Sequence, residues 1–290
     1  MAGTLTLPAG RKTKLPAVIL ISGSGPQNRD EDSEGAGGLK LGLFRTIAER
    51  LSRGGIAVLR YDDRGVGRSG GSFPTANMTD FEDDARAAIE YLKTRPEVDP
   101  RRIGIIGHSE GAILGARIAA SSTNLKALVL MAGTAENGRS ILRWQAQKAL
   151  AATHLGATER KAAAEQQEEF FRLVDGADSD VTEIQGQTIN IRWFKEFLSF
   201  EPLSAVRRVR CAVAVVQGGR DGQVRPEDAR LLEHALDESG NADHELQTFP
   251  SLGHMFTESS GEGIAELADP AKQVSSEFIE YLARFLARKL

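Results

Sequence analysis

The sequence predicts an α/β protein with a mostly parallel central sheet, helices on both faces and an inserted helical cap. Short apolar runs rich in β-branched residues recur with helical patterns between them, which is typical of parallel strands buried on both faces. One connection, from residue 132 to residue 211, is much longer than a single crossover needs. We therefore expect one domain, in which residues 1–135 and 204–290 form the core and residues 136–203 form the cap.

Six apolar runs are predicted as strands and five amphipathic segments as helices. A short strand is also expected at residues 5–7. Thr79 and Glu82 have the spacing of a capping box, and Pro226 suits the first turn of a helix, so both support the boundaries. The predicted strands are 17–22, 56–61, 102–107, 127–132, 212–217 and 245–249, and the predicted helices are 43–53, 80–95, 110–121, 227–237 and 272–288.

The long connection is rich in alanine, glutamate and aromatic residues. Segments such as 161–171 predict helices, with Gly176 and Gly186 as breaks. Two interpretations of its aromatic side chains stay open: they form a small core of the cap, or some of them line a substrate pocket. On the second interpretation, Trp144, Trp193 and Phe194 are the candidate substrate-binding residues.

The composition excludes several classes of protein. The chain has 290 residues, 41% of them hydrophobic, with 36 basic and 40 acidic side chains and a net charge of −4, so it can bury a large core and has no nucleic-acid footprint. Its single cysteine, Cys211, excludes an internal disulfide and a multi-thiolate metal site. The acidic run at residues 30–34 is expected to be a solvated loop.

No targeting, membrane or cofactor motif is predicted. No stretch approaches the roughly 20 apolar residues of a membrane span, and the first residues lack a signal-peptide pattern, so we expect a cytoplasmic protein, with export of a longer native form left open. Residues 65–70 match G-x-G-x-x-G, but residues 72–75 separate them from the next helix, so no nicotinamide cofactor is expected. No metal-ligand spacing such as H-E-x-x-H occurs, and no metal is expected.

Residues 107–111, Gly-His-Ser-Glu-Gly, carry the strongest chemical signal. They follow a predicted strand and precede a predicted helix, which is the context of a nucleophile elbow, where a sharp turn exposes the serine and glycines avoid collisions. Ser109 is the predicted nucleophile. His108, beside it, is expected to point away into the packing.

A serine hydroxyl needs a base, and the base needs an acid that orients it. Asp221 and His254 each follow a predicted strand, in the order nucleophile, acid, base, and are the candidate acid and base. Glu136 is the alternative acid. For the oxyanion hole we expect the backbone N–H groups of Glu110 and of Ser24 in the glycine-rich loop after the first long strand, with Gly25 as the alternative to Ser24.

Three segments together resemble the serine α/β-hydrolase superfamily over almost the whole chain. Residues 58–69 are similar to that superfamily's loop after the second parallel strand, and with residues 23–31 and 107–111 they look like the bacterial carboxylesterases of the EstD type. The resemblance implies the α/β-hydrolase fold and an esterase of short-chain acyl esters with Ser109, Asp221 and His254 as its triad.

The function expected from the sequence is therefore ester hydrolysis through an acyl-enzyme, with a small-molecule ester as substrate. Two alternatives stay open: a peptidase or amidase that uses the same triad, and a non-catalytic protein that binds a ligand beneath the cap. No nucleic-acid partner is expected. A homodimer is possible, because an aromatic cap could also serve as an interface.

Overall fold

The structure is a computed structural model and describes residues 1–10, 13–33, 38–184, 186–260 and 271–290. Strands and helices alternate along the chain. The strands are β1 (Gly3–Thr6), β2 (Leu15–Ile21), β3 (Ala57–Tyr61), β4 (Val98–His108), β5 (Leu125–Met131), β6 (Val181–Ile184), β7 (Gln187–Asn190), β8 (Ala212–Gly218) and β9 (His244–Phe249). The helices are α1 (Leu43–Arg53), α2 (Met78–Thr94), α3 (Glu110–Ala120), α4 (Gly138–Ala151), α5 (Ala157–Gly176), α6 (Ile191–Ser199), α7 (Pro202–Val206), α8 (Asp228–Glu238) and α9 (Ser276–Lys289).

The central sheet has the strand order β1-β3-β2-β4-β5-β8-β9. Strand β1 pairs antiparallel with β3, and every other pair in this sheet is parallel. Alternate residues of the buried strands point to opposite faces. In β2, Ile19 packs on the side of α2, α3 and α8, whereas Val18 and Leu20 pack on the side of α1 and α9. The predicted mostly parallel sheet with helices on both faces is confirmed.

Parallel strands bring their carboxyl ends to one edge of the sheet. Strand β4 ends at His108, β8 ends at Gly218 and β9 ends at Phe249, and all three belong to the same parallel set. The loops that carry Ser109, Asp221 and His254 therefore emerge side by side, where open α/β sheets collect their ligand-binding groups.

The chain between β5 and β8 forms α4, α5, α6, α7 and a hairpin of β6 and β7. As predicted, Gly176 ends a helix, and Gly186 has φ +77° in the hairpin turn, a conformation that glycine adopts without strain. The hairpin itself was not predicted, because two four-residue strands carry too little periodicity to stand out from helical surroundings. The predicted cap boundary at residue 203 falls within α7, and the division into core and cap stays a prediction.

The start of α2 corrects the predicted capping box. Asn77 is the N-cap: its side chain accepts from the Asp80 N–H at 2.9 Å, and the Asp80 carboxylate accepts from the Asn77 N–H at 3.0 Å. Thr79 lies inside the helix and Glu82 pairs with Arg117, so neither can act as predicted. The extended backbone of Asn77, with φ −117° and ψ 178°, is what a capping residue requires.

Within the described residues, the helices are too short or too polar to cross a lipid bilayer.

Candidate active site

The turn from β4 to α3 has the geometry of a nucleophile elbow. Ser109 stands at φ +55° and ψ −117°, which is strained for a residue with a side chain. A Cβ atom on Gly107 would lie 2.1 Å from the carbonyl oxygen of Gly111, and a Cβ on Gly111 would lie 2.1 Å from that of Ile21. Only glycine fits at these two positions, which is why the motif predicts the turn.

The loop after β2 runs directly beside the nucleophile. A Cβ on Gly23 would lie 3.1 Å from Cβ of Ser109, and the Gly23 N–H donates to Oε1 of Glu31 at 3.1 Å. In the described part of the chain, the N–H groups of Ser24 and Glu110 have no hydrogen-bond acceptor, and Glu110 is the first residue of α3. Both N–H groups are therefore available to a negative charge on a ligand, and their role as an oxyanion hole stays a prediction.

The candidate base and acid contact each other. Nδ1 of His254 lies 2.8 Å from Oδ2 of Asp221, whose other oxygen accepts the N–H groups of Gln223 and Val224 at 2.7 and 3.0 Å. Asp221 is 1% exposed. Burial raises the pKa of Asp221, but His254 and the two N–H donors lower it by more than burial raises it. The net pKa therefore lies below its usual range. A carboxylate on Nδ1 leaves Nε2 of His254 free to accept a proton.

Ser109 and His254 line the same cavity of about 320 Å³, together with Ser24 and Glu110. Asp221 lies behind His254. The alternative acid, Glu136, instead pairs with Arg225 at 3.1 Å. The structure thus brings the five predicted site residues of the core together.

The cap contributes one of its three candidate aromatics to this cavity. Trp193 lines it, and its Nε1 donates to Oε1 of Glu110 at 2.9 Å. Trp144 is absent from the described cavity walls, and its ring faces the cations of Lys148 and Arg225. Phe194 is also absent from them and packs edge-on against Trp193 with ring centroids 4.9 Å apart.

The side chain of Glu110 was not recognised in the sequence. It is buried and also accepts from Oγ of Ser24 at 2.6 Å, so it connects the loop after β2 to α6 through Trp193. Burial raises the pKa of Glu110, although both hydrogen bonds oppose that shift. No local signal marks this role, because both partners are more than eighty residues away in sequence.

A buried pair beside the nucleophile corrects the prediction for the acidic run. Glu31 is 1% exposed at φ +63°, and its Oε1 lies 2.6 Å from Nδ1 of His108, whose Nε2 lies 3.0 Å from the carbonyl oxygen of His254. Asn28 accepts the N–H groups of Asp30 and Asp32, a turn that directs Glu31 inward. The expectation of a solvated loop is therefore wrong for Glu31, whereas Glu34 lies outside the described residues.

The two hydrogen-bond partners of His108 favour one protonation state of its ring. A carbonyl oxygen only accepts, so Nε2 of His108 donates to it. Burial lowers the pKa of His108, but the charge and hydrogen bond of Glu31 raise it more, so the net pKa is raised. Both contacts therefore favour the protonated form of His108, in which Nδ1 donates to Glu31 and Nε2 donates to the carbonyl oxygen of His254.

The chain is similar in sequence to a known family and to a known esterase. The model of the family described as serine aminopeptidase, S33, matches residues 37–260. Esterase EstD of Thermotoga maritima is 29% identical over 294 residues, which cover 99% of this chain and 66% of EstD, so the chain spans somewhat less than two thirds of that relative.

Solved structures with the same fold include two esterases. Est1E of Butyrivibrio proteoclasticus, solved with ferulic acid, has a TM-score of 0.65 at 19% identity, and the match covers 99% of this chain and 94% of the Est1E chain. An esterase of Pyrococcus furiosus has a TM-score of 0.60 at 18% identity, and the match covers 95% of this chain and 82% of the esterase chain. The family match covers more than half of the chain, and the chain therefore belongs to the serine aminopeptidase S33 family of α/β hydrolases.

Proposed function

We propose that this protein is a serine esterase that hydrolyses short-chain acyl esters through a triad of Ser109, His254 and Asp221. The observation that carries the proposal is the 2.8 Å contact between Nδ1 of His254 and the buried Asp221 carboxylate, behind a cavity that the elbow serine lines. The esterase names of EstD and of the two structural relatives support the same reaction class.

In the first half-reaction, Nε2 of His254 takes the proton of Ser109 as Oγ attacks the ester carbonyl. The N–H groups of Ser24 and Glu110 hold the oxyanion, and each such donor stabilises the transition state by about 3 kcal/mol. His254 then protonates the leaving alcohol, and the acyl group stays on Ser109.

In the second half-reaction, His254 activates a water molecule that attacks the acyl-enzyme. The carboxylate of Asp221 holds the Nδ1–H tautomer and stabilises the imidazolium in both steps. Because Asp221 is already held by two backbone N–H groups, it does not need to move during the cycle.

Turnover of p-nitrophenyl butyrate tests the proposal. Ser109→Ala and His254→Ala are expected to lower kcat by about 10⁴-fold or more. Asp221→Asn keeps the shape of the site but favours the wrong tautomer of His254. It is expected to lower kcat by a similar factor. Ser179→Ala, at an exposed loop serine, is the matched control and should keep wild-type turnover. Full activity in folded Ser109→Ala would contradict the triad.

The family description favours a second candidate, cleavage of an amino-terminal peptide bond by the same triad. An aminoacyl p-nitroanilide compared with the p-nitrophenyl ester of the same amino acid separates the two. An esterase is expected to cleave the ester far faster, whereas comparable kcat/KM values would favour the aminopeptidase. A protein that only binds its ligand would cleave neither.

We also propose a small-molecule ester as the partner of the site, a cytoplasmic location and no nucleic-acid ligand. The assembly is either a monomer or a homodimer. Light scattering during size-exclusion chromatography distinguishes a homodimer from the 31.3 kDa of one chain.

A further inference from the structure

A second cavity, of about 380 Å³, adjoins the one that Ser109 lines. The two share Gly23, Ser24, Glu110 and Trp193. The second cavity is therefore bounded on one side by the predicted oxyanion hole. It extends away from there beneath the cap hairpin, where Thr188 and Asn190 line it.

The position of His254 says which half of an ester this cavity would take. His254 lines the first cavity, and it is absent from the described wall of the second. The leaving alcohol must lie near His254, which protonates it. The acyl group, on the other side of the carbonyl carbon, is thus directed past Glu110 into the second cavity.

The sheet register gives the distance between the backbone positions of Tyr61 and the elbow. Ile19 pairs with Leu59, so Tyr61 is level with Ile21, and Ile21 pairs with Gly107 at the base of the elbow. Tyr61 therefore stands two strand spacings from the elbow, roughly 10 Å. A three-carbon acyl chain that carries a benzene ring spans about this distance.

Several aromatic side chains line this second cavity. Phe73 and Phe81 line the cavity with ring centroids 5.4 Å apart, and Trp193 and Leu114 line it as well. Aromatic rings pack favourably against another ring in offset or edge-on arrangements. The middle of the cavity is therefore suited to an aryl group.

Tyr61 brings a hydroxyl group to this cavity. Tyr61 is only 9% exposed and lines the cavity, yet its hydroxyl has no hydrogen-bond partner among the described residues. Burial, together with the charges of Asp63 and Asp84, raises the pKa of Tyr61 well above its usual range, so the hydroxyl keeps its proton. The hydroxyl is open to the cavity, where it can donate to a ligand oxygen.

Asp63 lines the same cavity and can accept a hydrogen bond. Oδ1 of Asp63 accepts from Oγ of Ser22 at 2.9 Å and Oδ2 accepts from the Gln27 N–H at 3.0 Å, which leaves each oxygen with a spare lone pair. Asp84 is paired with Arg64 at 2.7 Å. No lysine or arginine lines the described wall, so no side chain there would neutralise an anionic ligand.

We propose that the second cavity binds the acyl part of the substrate and selects an arylalkanoyl group with a hydroxyl on the ring. The ring lies among Phe73, Phe81 and Trp193, and the ligand hydroxyl accepts from Tyr61 and donates to Asp63. A hydroxyl is the group that satisfies a donor and an acceptor together. This inference rests on the proposed function, because it takes the acyl half from the role of His254.

Binding to the Ser109→Ala variant tests the proposal separately from catalysis. Isothermal titration compares ethyl para-hydroxyphenylpropanoate with ethyl phenylpropanoate and with ethyl para-carboxyphenylpropanoate. The hydroxylated ester is expected to bind about tenfold more tightly than the phenyl ester, as one buried hydrogen bond allows. The carboxylated ester is expected to bind more weakly than either.

The matched variants add Tyr61→Phe or Tyr91→Phe to Ser109→Ala. Tyr91 is an exposed tyrosine on α2. Tyr61→Phe should reduce the tenfold preference to about one, and Tyr91→Phe should keep it. A preference near one in Ser109→Ala, or one that survives Tyr61→Phe, would overturn the proposal. Because binding is measured, either result leaves the triad to be judged by turnover alone.

Discussion

Nδ1 of His108 lies 2.6 Å from Oε1 of Glu31, and both side chains are almost fully buried. Glu31 also accepts the Gly23 N–H in the loop after β2, and Nε2 of His108 donates to the carbonyl oxygen of His254. This one buried pair thus connects the loop after β2, the turn between β4 and α3, and the loop that carries His254. The pair positions these loops, because neither of its side chains transfers a proton in the proposed mechanism.

Glu31→Gln is expected to destabilise the fold by about 3 kcal/mol near pH 6, because it leaves a buried imidazolium without its counter-charge. The pKa of His108 is raised on folding, so the pair stabilises fully below the unfolded pKa of histidine, and this stability is lost as pH rises through the folded value. The difference between wild type and variant should therefore shrink at pH 9. Urea unfolding at the two pH values measures it.

Glu238→Gln is the matched control for that experiment. Glu238 is 46% exposed and pairs with Arg207 at 2.8 Å on the surface, where solvent screens the pair, so the same change is expected to destabilise the fold far less than Glu31→Gln. A Glu31→Gln variant as stable as Glu238→Gln at pH 6 would mean that the buried pair does not hold these loops.

Trp193→Phe is expected to lower the free energy of unfolding by about 1–3 kcal/mol, because it removes the indole N–H from the buried Glu110 carboxyl. The phenyl ring can keep the stacking on Phe197, whose centroid lies 4.7 Å from that of Trp193. Denaturant unfolding measures the loss. Trp144→Phe is the control, since the ring of Trp144 faces two cations, and its cost should stay below about 1 kcal/mol. Equal losses in the two variants would argue against the Glu110 contact.

Asp63 gives the stability a pH dependence opposite to that of an ordinary surface carboxyl. Burial raises the pKa of Asp63 to about 7, against the hydrogen bonds of Gln27 and Ser22, and the nearby charges of Glu110 and Glu31 raise it further. The folded state holds this proton more tightly, so the stability that Asp63 contributes is full below about pH 4 and is lost as pH rises through 7.

Asp63→Asn removes this titration. The free energy of unfolding of wild type, relative to this variant, is expected to fall by on the order of 3 kcal/mol between pH 4 and pH 8. Asp83→Asn, on the exposed face of α2, is the matched control, with an expected change within about 0.5 kcal/mol. A pH-independent difference between wild type and Asp63→Asn would refute the raised pKa.

The features that could be predicted from the sequence are those with a local physical cause. Gly107 and Gly111 are needed because any side chain there would collide with backbone, so the elbow is visible as a spacing. The buried parallel strands are visible as β-branched runs. The positions of Asp221 and His254 follow from strand ends, because a parallel sheet brings those ends together.

What could not be predicted depends on contacts between distant parts of the chain. Glu31 and His108 are 77 residues apart, and an acidic run alone favours a solvated loop. The Glu110 bond to Trp193 spans 83 residues, and the choice of Trp193 over Trp144 depends on which way α6 and α4 face. The unpartnered hydroxyl of Tyr61 can be recognised only once the cavity around it is known.

Covalent labelling with a fluorophosphonate tests the central claim, an activated serine at the elbow, most directly. We predict one adduct per chain, located on Ser109 by peptide mass spectrometry, absent in Ser109→Ala, strongly slowed in His254→Ala and unchanged in Ser179→Ala. A folded wild-type protein that stays unlabelled at Ser109, or that labels equally fast without His254, would contradict it.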